Sequence, residues 1–397
     1  MEKKEEFIRV GTTLYKIVDQ PRIDGGYVRK RIAWNSETLR QDYGKDYMAS
    51  VPKYDGFCTV PDHVDYKPVV GKFLNLYEPI SHRPQEGDFP CIRSLVEHIF
   101  GEQYEQGMDY LQLLYLYPIQ KQPILLLVSE ERNTGKSTFL NFLKAIYQNN
   151  VTFNTNEDFR SQFNSDWAGK LLIMVDEVLL NRREDSERLK NLSTTLSYKV
   201  EAKGKDRDEI GFFAKFVLCS NNEHLPVIID AGETRYWVRK IVPLKSDDTD
   251  FLQKLKTEIP AFLHFLQHRQ LSTGKESRMW FNPKLLETDA LRKIIRSNRN
   301  RLEIEMAELL LDIMASMDVE SVSFCLNDII PLLVCSQVKV EKSQVRKVVQ
   351  ECWKLTPASN SLSYTTYQCD YSRECGYSPV KRIGRYYTAS KAQLETF

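Results

Sequence analysis

The chain has 397 residues, enough for two or three domains with a sizeable buried core. Its 55 Lys and Arg against 54 Asp and Glu leave a net charge of +1, which excludes nucleic-acid binding by bulk charge but not through a local basic strip. Hydrophobic residues at 42% with mixed charge exclude a disordered chain.

The opening MEKKEEFIRV is charged and lacks an apolar core of signal-peptide length. No apolar run approaches the roughly 20 residues that span a bilayer. The eight cysteines (Cys58, Cys91, Cys219, Cys325, Cys335, Cys352, Cys369, Cys375) form no C-x-x-C pair. Reduced thiols in a soluble cytoplasmic protein, with no membrane partner, are therefore expected. Cys352, Cys369 and Cys375 fall near one another, but their spacing matches no common zinc site.

In chain order, residues 1–89 read as an α+β region. Short β-like runs (Thr12 to Val18, Tyr27 to Trp34, Val69 to Leu76) are separated by turns such as Asp24-Gly25-Gly26 and Pro84-Gln85-Glu86-Gly87. Residues 90–250 read as the core unit, with a helical lead-in over 90–118 where Leu95, Ile99, Leu111, Leu114 and Tyr115 recur at helical spacing. Apolar strands then alternate with helices: Ile124 to Val128, Leu171 to Val175, Phe216 to Cys219 and Tyr236 to Val242. That alternation implies a parallel sheet with crossover helices. Residues 251–300 read as a helical linker or lid. In 301–397, a helix over Arg301 to Met317 places Ile304, Ala307, Leu310, Leu311 and Met314 on one face. A second helix, Ser343 to Trp353, precedes β-rich sequence ending in GRYYTA. Helices followed by a hairpin is a winged-helix layout, which many small α+β modules share.

The chemistry concentrates in the core unit. After the first strand comes SEERNTGKST and then Phe139, Leu140, Leu143, Ile146 and Tyr147 at helical spacing. Strand, loop and helix is the context a phosphate-binding loop requires. Asn133, Thr134, Gly135, Lys136, Ser137 and Thr138 are the expected nucleotide-binding residues. The amides at the helix start favour an anion, Lys136 neutralises the β- and γ-phosphates, and Ser137 holds Mg²⁺. The general pattern G-x-x-x-x-G-K-[ST] has Glu130 at its first glycine position here. That removes an easy φ > 0 residue and puts a carboxylate near phosphate. A chance G-K-S at the start of an ordinary helix is the plainer alternative.

Leu171-Leu172-Ile173-Met174-Val175 ends in Asp176-Glu177, an apolar strand with two carboxylates at its tip. Ligands sit at such tips in parallel sheets. Asp176 is expected in the Mg²⁺ shell, and Glu177 is expected to polarise the attacking water. The phosphate loop and the acids are expected on adjacent strand ends, sharing one Mg-nucleotide. The third strand ends in Ser220-Asn221-Asn222, where Asn221 can report on the γ-phosphate or simply favour a turn. Arg235 and Arg239, near the start of the fourth strand, are candidates for an arginine finger on a neighbour's ATP, against the ordinary role of a surface arginine.

This order of motifs resembles the superfamily 3 (AAA+) DNA helicases, and within them the phage, plasmid and poxvirus-type primase-helicases. The resemblance rests on N-T-G-K-S, the two-acid strand, the SNN strand and the late arginines. It covers residues 85–245; no primase catalytic module is evident before them. It implies an α/β P-loop AAA+ core with a parallel sheet, ATP and Mg²⁺ as ligands, a homo-oligomeric ring (a hexamer by analogy), and single-stranded and forked DNA as substrate. It further implies a bacterial host cell, a separate primase or polymerase as partner, and a β-hairpin between the second and third motifs whose lysine grips DNA. That interval, Leu196 to Arg207, alternates, turns at Gly204 and carries Lys199, Lys203, Lys205 and Arg207. Cations at a hairpin tip suit phosphate tracking without base recognition, although a solvated hairpin edge is frequent.

The expected function is ATP-dependent translocation on single-stranded DNA during replication of a phage or mobile element. The alternatives are an AAA+ ATPase that remodels protein complexes and a DNA-binding regulator with a degenerate nucleotide site. His264 and His268 lack the Glu of a zinc-protease motif and read as helix surface. Cys219 and the 20 Tyr and 19 Phe read as packing.

Overall fold

A computed structural model describes residues 5–21, 27–160, 167, 169–180, 182–200, 208–230, 232–244, 248–298, 301–335, 340–370, 372 and 376–396. They divide into two compact units, Met1–Ile228 with Glu233–Arg292, and Ile229–Gly232 with Lys293–Phe397.

The first unit begins with β1 (Glu6–Val10), β2 (Thr13–Pro21), β3 (Tyr27–Trp34), α1 (Ser36–Tyr43), α2 (Tyr47–Ser50) and β4 (Lys53–Tyr54). The first four strands form a sheet in the order β3-β2-β1-β4, whose small core gathers Phe7, Leu14, Leu39 and Val51. β5 (Gly56–Cys58), β6 (Val69–Val70) and β7 (Phe73–Asn75) form a second small sheet. The run expected over Val69 to Leu76 is broken into β6 and β7 because Gly71 turns the chain at φ +60°.

α3 (Pro90–Phe100) and α4 (Tyr104–Leu116) supply the helical lead-in, and Pro90 starts α3 at a position that needs no amide donor. β8 (Ile124–Val128), α5 (Lys136–Tyr147), β9 (Val151–Phe153), β10 (Leu172–Val175), α6 (Arg183–Thr194), β11 (Ser197–Val200), β12 (Asp208–Gly211), β13 (Lys215–Ser220), β14 (Tyr236–Lys240) and α7 (Phe251–His268) follow, and α8 (Asp289–Ser297) begins in this unit and ends in the second. Five of these strands form a parallel sheet in the order β14-β8-β13-β10-β9. β8 is buried at every position, which is why it reads as an unbroken apolar run rather than an alternation. Leu125, Leu127, Leu172, Met174 and Trp237 join one core with α3, α4, α5 and α7. Each such side chain contributes about 1.5–3 kcal/mol by burial, so truncating Leu125 to Ala costs about 2–5 kcal/mol.

The sheet order corrects one expectation. β8 and β10 are not neighbours, because β13 pairs with both and lies between them. Being parallel, β8, β13 and β10 nonetheless bring Val128, Ser220 and Val175 to the same edge.

The second unit contains α9 (Arg301–Met317), β15 (Ser321–Phe324), α10 (Leu326–Cys335), α11 (Lys342–Lys347), β16 (Leu362–Cys369), β17 (Tyr377–Gly384), β18 (Tyr387–Ser390) and α12 (Lys391–Thr396). β16 and β17 form an antiparallel hairpin, and β15 pairs with β18. The helix expected over Ser343 to Trp353 is α11, capped by Glu341 and Gln344, continued by a wider turn over Val348–Cys352. Its own core includes Met306, Leu310, Ile313, Phe324, Ile329 and Val349. Among the described residues, no helix is long and apolar enough to cross a membrane, and no three His, Cys, Asp or Glu gather as a metal site. Cys375 lies outside the described residues.

Candidate functional site

The segment after β8 turns twice through left-handed backbone, at Asn133 (φ +53°) and Gly135 (φ +80°). Gly135 caps α5 without any side-chain hydrogen bond to the helix start, so the first amides of this helix are left for an anion. The loop is held from outside. His98 Nε2 lies 3.0 Å from the Thr134 carbonyl, and the Leu244 amide donates to the Asn133 carbonyl at 2.9 Å. Glu130 is absent from the left-handed positions, so the missing glycine costs no strain there. Its carboxylate stands 3.3 Å from His224 Nε2.

Lys136 is buried to 6% exposure and donates to Thr134 Oγ1 at 3.1 Å. Burial pulls its ammonium below the usual lysine range, and the surrounding Cys219, Asp176, Glu223 and Glu131 oppose that pull. A cation so placed gains from any anion brought to the helix start. Ser137, exposed beside it, donates its hydroxyl to Asp176 Oδ2 at 2.7 Å. That bond joins the start of α5 to the tip of β10 across the end of β13. Thr138 follows, half-buried, in the first turn of α5.

Glu177 sits at φ +64°, a backbone cost for a non-glycine residue, and is clamped on both sides. Asn156 donates to its carbonyl at 3.2 Å and accepts from the Leu179 amide at 2.9 Å. The Val178 amide next to it donates to the Cys219 carbonyl at 2.7 Å. Asn221, at the end of β13, donates its side-chain amide to Glu177 Oε1 at 3.3 Å. Lys136, Ser137, Asp176, Glu177 and Asn221 therefore stand together at one sheet edge. Ser137 and Asp176 offer hard oxygen donors of the kind Mg²⁺ takes, with room for phosphate oxygens and water in the rest of its shell.

Glu223 belongs to the same edge, and sequence reading passed over it. It is 2% exposed, accepts the Glu130 amide at 3.2 Å and holds Lys240 Nζ at 3.1 Å, bracing the loop against β14. His98, Leu244 and Asn156 were likewise passed over. A polar residue just beyond the SNN strand was the available signal for Glu223, and the other three had none.

The arginines are engaged within the chain. Arg239 is 7% exposed, bonding Glu102 at 2.6 Å and Gln103 at 2.9 Å. Arg235 is more exposed and pairs with Glu233 at 2.7 Å. Between the second and third motifs β11 and β12 do form an antiparallel hairpin, with Lys199 exposed opposite Glu209. Lys203, Lys205 and Arg207 fall between the two strands in sequence, outside the described residues. His264 and His268 lie side by side on α7, their rings tilted with centroids 4.3 Å apart.

Residues 127–236, the stretch from the end of β8 to the start of β14, match a family model described as a family of unknown function, DUF5906. No curated protein matches the chain. Among solved structures it is similar to the apo structure of the NrS-1 C-terminal region (305–718), at 18% identity over 89% of this chain and 84% of that one, with a TM-score of 0.58. An A-form apo structure of the same region gives 17% identity and a TM-score of 0.57 over the same shares. At these identities the likeness establishes a shared mixed α/β fold with a parallel sheet. A structure of the JCV helicase superposes at a TM-score of 0.32, with 11% identity over 58% of this chain and 65% of that one, too loosely to carry an argument.

Proposed function

We propose that this chain is an ATP-driven DNA helicase of the superfamily 3 type, built on a P-loop AAA+ core. The observation that carries the reading is the 2.7 Å hydrogen bond from Ser137 Oγ to Asp176 Oδ2, which puts the helix-start loop and the two-acid strand on one ligand-sized site. The N-terminal amides of α5 and Lys136 receive the β- and γ-phosphates of ATP, with Asn133, Thr134, Gly135 and Thr138 shaping the loop around them. Ser137 and Asp176 hold Mg²⁺, which when bound neutralises charge on the transferring phosphoryl group. Glu177 orients and accepts a proton from the attacking water, and Asn221 fixes Glu177 and senses the γ-phosphate.

Chains assemble as a ring, a hexamer by family analogy, so that each site is completed by an arginine from the next. Arg235 suits that role better than Arg239, whose guanidinium is committed to Glu102 and Gln103. Hydrolysis shifts the β11–β12 hairpin, whose Lys199, Lys203, Lys205 and Arg207 draw single-stranded DNA along by its phosphates. In the second unit, the order α9, β15, α10, α11 and the β16–β17 hairpin is that of a winged helix. Exposed Lys342, Arg346 and Lys347 on α11, with Lys381 and Arg385 around the hairpin, suit duplex DNA. The setting is replication of a phage or mobile element in a bacterial cytoplasm, with a separate primase or polymerase as partner.

Strand displacement on forked DNA carrying one single-stranded tail or the other tests this reading. Displacement that requires ATP and Mg²⁺ and disappears in Lys136→Ala is expected. Displacement of neither fork, together with ATP turnover indifferent to DNA, overturns the helicase in favour of a protein-remodelling ATPase. No turnover at all leaves a DNA-binding regulator.

A further inference from the structure

We infer that the first unit carries a second nucleic-acid site: a cavity at the foot of the β11–β12 hairpin that seats a base of single-stranded nucleic acid on aromatic walls and its phosphates on a cationic rim. This rests on the helicase reading and adds a site to it.

The cavity, about 740 Å³, opens where the segment Tyr117 to Lys121 meets Lys275 to Trp280 and the start of the hairpin at Leu196. Tyr117 to Lys121 lead into β8, so the cavity lies at the edge where the strand begins, away from the Ser137–Asp176 pair at the strand tips. Leu196 is 78% exposed, Ile119 64% and Tyr117 53%, an apolar grouping that water covers poorly. Trp280 stands at φ +79°, which a bulky side chain rarely adopts. It is held there by its carbonyl, which accepts from the Glu276 amide at 2.7 Å, and by its indole N–H, which donates to Thr273 Oγ1 at 3.1 Å. Trp280 thus holds its strained backbone where the residue both lines the cavity and packs against the core.

The electrostatics select the occupant. Lys121 is 8% exposed, donates to the Phe212 carbonyl at 2.7 Å and stands 5.1 Å over the Phe212 ring. Lys215, 2% exposed, lies behind it and donates to the Pro118 carbonyl. Among the described residues neither ammonium is paired with a carboxylate, and burial pulls both below the usual lysine range, Lys121 to about 8. Burial without a carboxylate shifts both toward neutral amines, so they serve the wall as hydrogen-bond donors rather than as fixed charge. Lys275 and Arg278 add two exposed cations at the rim. Among the described residues one carboxylate lines the space, Asp62, and it already accepts the Val64 and Asp65 amides at 2.9 and 2.8 Å. An anion with planar apolar faces meets both requirements, and single-stranded nucleic acid is such a ligand. Lys199 lies three residues beyond Leu196, on the first strand of the hairpin whose foot borders the cavity.

The test is anisotropy of a fluorescein-labelled oligothymidylate titrated with the full chain, with Mg²⁺ and a non-hydrolysable ATP analogue, over a series of salt concentrations. Tyr117→Ala is expected to weaken binding about five- to tenfold and Tyr117→Phe to restore it, as stacking on an aromatic face requires. Lys275→Ala/Arg278→Ala is expected to lower the slope of log affinity against log salt by about 1.4, about 0.7 for each phosphate left without its cation. ATP turnover without DNA stays unchanged in all three. Wild-type affinity and salt slope in the variants overturn the cavity and leave the helicase standing. Loss of assembly on sizing with oligonucleotide affinity retained also overturns it, making the cavity a protein interface. A wild-type chain that binds no oligothymidylate sinks the helicase reading and the cavity together.

Discussion

Asn221, at the end of β13, donates its side-chain amide to Glu177 Oε1 at 3.3 Å, so the tips of two neighbouring strands hold one carboxylate between them. Among the described residues, Glu177 is otherwise held through its backbone, by Asn156. Its side chain owes its direction to Asn221. Glu177→Gln is expected to lower ATP turnover about 10²–10⁴-fold, the usual worth of a positioned general base. Asn221→Ala misdirects the base rather than removing it and is expected to cost about 10²-fold or less. Both leave ATP affinity within a few-fold of wild type. Steady-state kinetics beside equilibrium binding of a labelled ATP analogue separates the two effects.

Ligand binding at this edge is expected to stabilise the fold. Mg-ATP at about one hundred times its Kd adds about 2.7 kcal/mol, read as a rise of a few degrees in Tm. Lys136→Ala abolishes the shift and Ser137→Ala reduces it, most visibly where Mg²⁺ is limiting. An equal shift in wild type and Lys136→Ala contradicts the assignment. Thermal melts with and without Mg-ATP are the measurement.

Asp109 is fully buried on α4 and collects Arg269, both amides of Ser272 and Thr273, and both of their hydroxyls. It ties α4 to the chain leaving α7. Asp109→Ala leaves the Arg269 guanidinium without its buried partner and is expected to cost about 3–5 kcal/mol, measured by denaturant unfolding. Catalytic constants per folded chain are expected to hold, since the strand tips are not involved.

His63 gives the fold a pH dependence. Its Nδ1–H donates to the Tyr115 carbonyl at 2.8 Å, so Nε2 accepts from the Tyr77 hydroxyl at 2.6 Å. Burial pushes its pKa down to about 4 from the ordinary 6.5. The folded chain thus holds the neutral ring while the unfolded chain takes a proton. Stability is intact above about pH 6.5 and declines as pH falls toward 4, by about 2 kcal/mol between pH 7 and 5. His63→Gln is expected to flatten that share of the decline in urea titrations across this range. An unchanged pH profile in the variant contradicts the buried neutral ring.

The gathering of these residues at the strand tips was legible because it is written locally. A strand buried on both faces leaves an apolar run, the loop follows at once, and the acids or amides end the next strands. The order of the strands was not legible. β13 enters between β8 and β10 through pairing that no local pattern encodes, and Ser137 closes the resulting gap from the helix side. β9 escaped notice because Val151-Thr152-Phe153 is too short to show a period. His98 and Leu244 act on the loop from remote positions through bonds involving backbone carbonyls, which any residue supplies. At Glu130 the sequence suggested a strained or repelling loop, whereas left-handed backbone falls at Asn133 and Gly135 instead. Arg235 and Arg239 looked alike in sequence and differ in setting, since only burial distinguishes a guanidinium bound to Glu102 from one near the surface.

The central claim is that the α5 start and the β10 tip hold and hydrolyse one Mg-nucleotide. Its most direct test is steady-state phosphate release from ATP by the full chain with Mg²⁺ and single-stranded DNA, wild type against Lys136→Ala and Asp176→Asn. The account predicts DNA-stimulated turnover in the wild type that falls to background in both variants. Variants that hydrolyse ATP as fast as the wild type would contradict it, as would a wild type that releases no phosphate.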